Sequence, residues 1–221
     1  EPFGLRPLAS SRRPDQHAGA AAAITLARAG RDVVMVDKAR FPRDKICGDG
    51  LTAGALRLLE GLGLDPAAVG SWQTVHDVVV RGPAGHQVTF PLPRGRGIYA
   101  AVTRRTELDA ALVDRARAEG VTVLEGHGCT GAVEHRDRVV VGLDGPDGHR
   151  QVEAPYAVAA DGMWSPVRKH LGLATPGYRG EWHAFRQYFT AVGPRAADLV
   201  VWFEPDRLPG YAWSFPLPGG R

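Results

Sequence analysis

An apolar run, Val33-Val34-Met35-Val36, ends on an acid, Asp37, and passes almost at once into Phe41-Pro42-Arg43-Asp44-Lys45-Ile46-Cys47-Gly48-Asp49-Gly50. This succession constrains the fold more than any other stretch. Residues 32–37 have the pattern of a strand buried on both faces of a parallel sheet. The loop after it carries Gly48 and Gly50 around Cys47 and Asp49. Residues without a Cβ let backbone N–H groups come close to a flat ligand, which bulkier residues would block.

The neighbouring segments extend this reading. Residues 19–29 are alanine-rich with Ile24 and Leu26, and Gly30 stands where a helix end favours a left-handed residue, so a short helix is predicted. Helix followed by strand is half of a dinucleotide-binding βαβ unit. Thr106 is a candidate N-cap with Asp109 three residues on, and Leu108, Ala111, Leu112 and Ala116 recur at helical spacing until Gly120. Residues 121–124 then form the next strand. Residues 129–160 read as an antiparallel meander through the Gly145-Pro146-Asp147-Gly148 turn, with a last strand over 156–160. Ser165-Pro166 opens a helix that Gly172 stops.

Residues 71–100 and 174–221 have a different texture, with strand candidates at 78–80, 88–90, 185–192 and 199–203. The expected fold class is α/β with α+β mixing. An incomplete Rossmann-like nucleotide domain over 14–70 and 101–173, its first strand degenerate, carries an inserted antiparallel-sheet domain over 71–100 and 174–221 that is truncated.

Composition narrows the function classes. With 44% hydrophobic and 23% charged residues the chain is globular, and its net charge of +3 is spread without a basic run, so no nucleic-acid partner is expected. Cys47 and Cys129 cannot build a disulfide framework and point to a reducing, cytoplasmic location. No stretch reaches the ~18 apolar residues of a membrane-spanning helix. Arg12-Arg13 ahead of the alanine run has the outline of a twin-arginine export signal, but removing that run would cut into the domain. The eight histidines show no HExxH spacing, so no metal site is expected, and no GxSxG elbow supports hydrolase chemistry.

The loop Lys45-Ile46-Cys47-Gly48-Asp49-Gly50 resembles the KxCGxG loop of the geranylgeranyl reductase family, flavoproteins that saturate prenyl double bonds. Arg105-Thr106-Glu107-Leu108-Asp109 is similar to the RxxLD element of the surrounding flavin-monooxygenase-like superfamily. Ala159-Ala160-Asp161-Gly162, continuing to Ser165 and Arg168, resembles its GADGxxSxVR motif, and Tyr211-Ala212-Trp213-Ser214-Phe215-Pro216 resembles the YxWxFP substrate motif.

The resemblance implies an FAD cofactor, with NADPH or a reduced carrier as donor. The reaction it implies is reduction of isoprenoid double bonds in prenyl lipids, prenyl diphosphates or quinone tails, with hydride from reduced FAD. Ala18, Gly19, Cys47, Gly48 and Gly50 are the implied cofactor contacts near the phosphate turn and the ring, together with Arg105, Cys129, Asp161 and Gly162. Asp37, 18 positions after Gly19, is near the ~20-residue spacing of a ribose-binding acid. Cys47 is the candidate catalytic residue, its thiol either donating a proton or shaping the pocket. Lys45 is either a charge near the flavin or a solvent-facing residue. Tyr211, Trp213, Phe215 and Pro216 are the candidate substrate contacts, the three rings sharing one strand face as an aromatic wall. Peripheral membrane contact is a further expectation.

Two departures from the family pattern stand out. The phosphate turn, GxGxxG in the fold, reads Pro14-Asp15-Gln16-His17-Ala18-Gly19 here, and residues 1–13 lack an apolar strand. The sequence also stops at Gly219-Gly220-Arg221, ahead of the family's later Gly-Asp motif. These lead to the expectation of an altered N-terminus, a chain matching roughly the family's first half, and weak FAD binding. A related WxWxIP element in tryptophan halogenases keeps a flavin monooxygenase or halogenase as an alternative, beside a catalytically dead fragment.

Overall fold

The computed structural model describes residues 18–95, 97–178, 180 and 183–219. The degenerate turn at 14–17, the Arg12-Arg13 pair, the apolar-poor residues 1–13 and the last two residues lie outside them.

The predicted alanine-rich helix is α1, Ala18–Arg28, ended by Gly30 with φ 74°. Strand β1, Val34–Asp37, follows. Then come β2, Gly50–Thr52, and α2, Ala53–Gly61, whose N-cap Thr52 accepts from the Ala55 N–H. Strands β3 (Gln73–Val75), β4 (Asp77–Arg81), β5 (Gln87–Pro91) and β6 (Ala100–Val102) lead to α3, Arg105–Ala118. Strand β7, Thr122–Glu125, precedes the meander β8 (Gly128–Glu134), β9 (Val139–Gly145) and β10 (Gly148–Ala154). Helix α4, Pro166–His170, and strands β11 (Leu199–Trp202) and β12 (Ala212–Ser214) complete the order. The mixed helix-and-strand class expected from the sequence is the observed one.

β1 pairs in parallel with β7 in the register Val34↔Thr122 to Asp37↔Glu125. β6 lies between β2 and β3, both antiparallel to it. β11 lies between β12, antiparallel, and β4, parallel, with β5 antiparallel on the far side of β4. Two stretches more than a hundred residues apart in sequence thereby share one sheet.

Two apolar clusters meet across β6. Ala101 packs with Ile24, Leu51, Leu59, Leu108, Leu112 and Ala116 in the first, while Val102 packs with Val75, Leu199 and Leu217 in the second. Successive strand residues point to opposite faces, which is why one short strand serves both. Arg28 joins the helices, donating to the Gly61 and Leu62 carbonyls at the end of α2 and to Glu119 just beyond α3.

The buried face of α3 is Arg105, Leu108, Asp109, Leu112, Val113 and Ala116, the spacing of one helical stripe. Its first turn of that stripe is charged and the rest apolar. The helix starts one residue before the expected cap: Arg104 is the N-cap, without a side-chain bond, and Thr106 is already helical. Ser71 does the capping from another segment, its hydroxyl accepting from the Arg104 N–H while its own N–H donates to Glu107. That partner is distant in sequence, so the local capping pattern misplaced the start.

Three further strand expectations are corrected. β1 is not buried on both faces, since Val34 is 42% and Val36 36% exposed; among the described residues β7 is its sole strand neighbour. Residues 156–160 are unpaired, with Tyr156 and Val158 exposed, and residues 185–192 form no strand. Alternating apolar residues met no ladder partner there. Helix α2 went unanticipated, although Thr52 and the Leu56–Leu59 spacing were its signals.

The core makes a direct prediction. Leu112, 1% exposed in the first cluster, truncated to alanine is expected to cost ~2–5 kcal/mol, whereas the 72% exposed Leu58 truncated likewise is expected to cost under ~0.5 kcal/mol. Urea unfolding followed by circular dichroism measures both.

Candidate functional site

The Lys45–Gly50 loop is held from several directions. The Asp49 main-chain carbonyl accepts from the Thr103 N–H at 3.0 Å, continuing the β2–β6 ladder into the loop. The Asp49 side chain is 4% exposed and accepts from the Tyr188 hydroxyl at 2.8 Å and from Arg186 at 3.1 Å. Arg186 also donates to the Lys45 and Cys47 carbonyls at 3.0 and 3.3 Å and to both Asp44 oxygens at 2.5 and 2.6 Å. Its guanidinium lies 4.7 Å from the Tyr188 ring centre. Cys47 is a half-buried free thiol in this frame.

Burial and charge placement together shift three acids. Burial pushes the Asp49 carboxyl above its ordinary value, against the pull of the Tyr188 hydroxyl and the Arg186 charge. Burial acts the same way on Asp44, but there the hydrogen bonds and charge of Arg186 outweigh it and the carboxyl is held below its ordinary value. Tyr188 is pushed well above an ordinary phenol by burial and then by its bond to Asp49.

The aromatic strand meets this loop. Phe203, Tyr211, Trp213 and Phe215 form a ladder of ring contacts with centroid separations of 5.8, 5.4 and 6.0 Å. A Cβ on Gly50 would lie 3.1 Å from two Phe215 ring atoms, so glycine is what admits the ring. Pro216 is buried directly after it.

The DG motif approaches from the other side. Gly162 has φ 85°, a left-handed conformation that favours glycine, and a Cβ there would lie 3.4 Å from the Lys45 Nζ. Asp161 accepts from the Val167 N–H at the start of α4, and Ser165 accepts from the Arg168 N–H. Cys129, on β8, donates to the Gly131 carbonyl; burial and then the nearby Asp161 charge raise its thiol above the ordinary value. Ala18 and Gly19 open α1, and a Cβ on Gly19 would lie 3.3 Å from Ala160.

Asp37 and Arg105 belong to one ionic chain. Asp37 accepts from the Ala39 N–H and from Arg43, Arg43 also pairs with Asp109 at 3.1 Å, and Asp109 pairs with Arg105 at 2.8 Å. The Arg105 side chain is 2% exposed and faces inward. The structure thus brings Lys45, Cys47, Gly48, Gly50, Gly162 and Phe215 together, with Asp37 and Arg105 linked through Arg43. Sequence reasoning missed Arg186, Asp49, Tyr188 and Arg43. Asp49 and Arg43 stand inside the quoted loop, but Arg186 reaches it across 137 or more positions and leaves no local signal. Among the described residues no His, Cys, Asp and Glu cluster suits a metal ion.

The described residues suit a flavin. Gly48 and Gly50 are exposed beside the Phe215 ring, and Gly162 and Lys45 bring a turn and a cation to the same loop.

Comparison with known proteins supports FAD as the cofactor. Residues 17–208 match the FAD-binding domain family. The menaquinone reductase of Mycobacterium tuberculosis is 36% identical over 221 aligned positions, covering 92% of this chain and 51% of that protein. Digeranylgeranylglycerophospholipid reductase 1 of Methanopyrus kandleri is 30% identical, covering 92% of this chain and 53% of that one. The crystal structure of a geranylgeranyl bacteriochlorophyll reductase-like protein from Thermoplasma acidophilum superposes with a TM-score of 0.72 at 20% identity, covering 91% of this chain and 51% of that one. The chain spans about half the length of the curated relatives it matches.

The Tyr188 hydroxyl gives a pH prediction. A group whose folded pKa is raised contributes stability that is complete below its unfolded value, about 10 for tyrosine, and is lost as pH rises beyond it. The stability advantage of wild type over Tyr188→Phe is therefore expected to hold constant from pH ~8 to ~10 and to shrink above pH ~10. Urea midpoints on both sides of pH ~10 measure it, and a gap that stayed constant above that pH would contradict the Tyr188–Asp49 bond.

Proposed function

We propose that this chain, which belongs to the FAD-binding domain family, takes part in FAD-dependent reduction of isoprenoid carbon–carbon double bonds, with the prenyl tail of a quinone or prenyl lipid as substrate. The observation that carries this reading is the contact of Phe215 with Gly50, which sets an aromatic wall directly against the glycine loop. The similarity to a menaquinone reductase supports a quinone as the molecule that carries the tail.

In this reading residues 14–70 and 101–173 hold the cofactor, and 71–100 with 174–221 hold the substrate. Ala18, Gly19, Cys129, Asp161 and Gly162 serve the cofactor's phosphate and adenine end, and Asp37 accepts from its ribose, while the buried Arg105 supports that end through Asp109 and Arg43. Cys47, Gly48 and Gly50 present backbone to the ring. Bound and reduced, FAD supplies a hydride to one alkene carbon; NADPH or a reduced carrier is its electron source.

The other alkene carbon needs a proton, because an isolated double bond is unpolarised. Cys47, half-buried on the loop that meets Phe215, is the group we assign beside that carbon. Tyr211, Trp213 and Phe215 align the tail along the strand, and their apolar surface excludes water from the reacting bond. Pro216, buried directly after Phe215, closes that end of the wall in this reading. Long prenyl substrates reside in bilayers, so this reading includes contact with a membrane surface. No helix among the described residues is long and apolar enough to cross one.

The test supplies the chain with FAD, an anaerobic reductant and menaquinones of graded tail length. The expected product gains two hydrogens per reduced bond. Oxygen in the product, or an unchanged tail, would overturn the proposal. Trp213→Ala is expected to weaken binding most for long tails, since an apolar wall contributes about 25 cal/mol per Å² of contact. Cys47→Ala is expected to keep FAD and slow reduction by about a hundredfold or more, on the scale of a lost positioned proton donor.

A further inference from the structure

The Asp44–Asp49 segment wraps around a single guanidinium. Asp44 supplies two carboxylate oxygens, Lys45 and Cys47 one main-chain carbonyl each, and Asp49 a carboxylate oxygen, all within 3.3 Å of Arg186 nitrogens. These acceptors come from positions 44, 45, 47 and 49 of a six-residue stretch, so the segment turns the Lys45 and Cys47 carbonyls and the Asp44 and Asp49 carboxylates toward one guanidinium. Arg186 belongs to the other half of the molecule, in the segment leading to β11. Its side chain is 10% exposed, and Tyr188 stands over it and bonds the second Asp49 oxygen. One planar fork with five N–H donors meets such a set of acceptors; an ammonium of three donors at one point does not.

We propose that Arg186 is the positioning residue that sets the conformation of the Lys45–Gly50 loop, and through it the place of the Cys47 thiol. Its effect is local. The curvature that turns the Lys45 and Cys47 carbonyls toward Arg186 leaves Gly48 and Gly50 on the exposed side. Without the fork, Asp44 and Asp49 are like charges on one short loop, and two carbonyls lose their donor. The segment then loses the charge-assisted bonds that select one shape from many. The meaning of this for catalysis rests on the flavin-facing reading proposed above, whereas the positioning itself stands on the contacts alone.

The two cysteines make it measurable. Both are half-buried and free, and Cys129 lies on β8, outside the Arg186 contacts. Alkylation with iodoacetamide, followed site by site by peptide mass spectrometry, reads loop opening at Cys47 against an internal reference at Cys129. Arg186→Gln is expected to raise the Cys47 rate about tenfold, the scale of one charge-assisted bond lost, with Cys129 within about twofold of wild type. Arg186→Lys keeps the charge and the stem but not the fork, and is expected to raise the Cys47 rate several-fold with Cys129 again unchanged. A general loss of stability would raise both rates together, and that parallel rise overturns the proposal. A wild-type Cys47 rate in Arg186→Lys overturns it as well, and this variant decides alone if Arg186→Gln does not fold. The assay needs neither FAD nor turnover, so failure of the prenyl-reductase reading would appear as absent reduction with the labelling contrast intact.

Discussion

A guanidinium in the interior is tolerated only where both its charge and its donors are met, and Arg105 is one of the largest fully buried side chains of this fold. Asp109, one turn further along α3, meets it with three hydrogen bonds between 2.8 and 3.0 Å. Breaking such a pair by removing one partner typically costs ~3–5 kcal/mol, far more than an exposed ion pair, because the remaining charge stays buried. That penalty fixes the rotation of α3. With Arg105 and Asp109 turned inward, Leu108, Leu112 and Ala116 fall on the same face and build the first core cluster. The pair also reaches outward, since Arg43 bridges Asp109 to Asp37 and so locates the end of β1 and the start of the loop relative to α3.

The loop is then set between two independent restraints. On the α3 side it is tied through Arg43 and through the Asp49 carbonyl to Thr103. On the other it is tied by Arg186 and Tyr188, from a segment that leads into β11 and the sheet carrying β12. A loop held on one side alone would leave its glycines mobile, since glycine loses the most backbone freedom on folding. Held on both, Gly48 and Gly50 present backbone at a fixed place relative to Phe215 and Gly162. The elements proposed to serve cofactor and substrate are thereby coupled through side chains rather than through sequence proximity.

What the sequence made legible follows from this division. Segments whose structure is decided by their own residues were readable: α1 with its terminal Gly30, the three-strand meander around 145–148, Ser165-Pro166 at the start of α4, and the face shared by Tyr211, Trp213 and Phe215. Features decided by remote partners were not. The start of α3 depends on Ser71, the curvature of the cysteine loop on Arg186, and the absence of strands over 156–160 and 185–192 on which neighbours stand beside them. The motif residues themselves were found by pattern, yet Arg105 and Asp37 were assigned to a ligand without any sign that Arg43 and Asp109 already engaged them. Local pattern records which residue types are present; it does not record which of their bonding sites the fold has used.

The Gly50–Phe215 contact carries a last consequence for specificity. A Cβ at Gly50 would press on the Phe215 ring, so a side chain there requires the ring to give by a few tenths of an ångström, and the strand behind it is held by the pairing of β12 with β11. Wall and loop are therefore closely packed at this end. The other end of the wall is under no such constraint, for Tyr211 is 54% exposed and touches only Trp213 and Phe203 among the aromatic residues described. Substitutions near Phe215 act on where a double bond sits relative to the loop, while those near Tyr211 act on how much tail is covered. Selection for reacting position and selection for chain length are thus separable along a single strand, in steps of two residues, because the side-chain alternation of a strand leaves the intervening Ala212 and Ser214 on the opposite face.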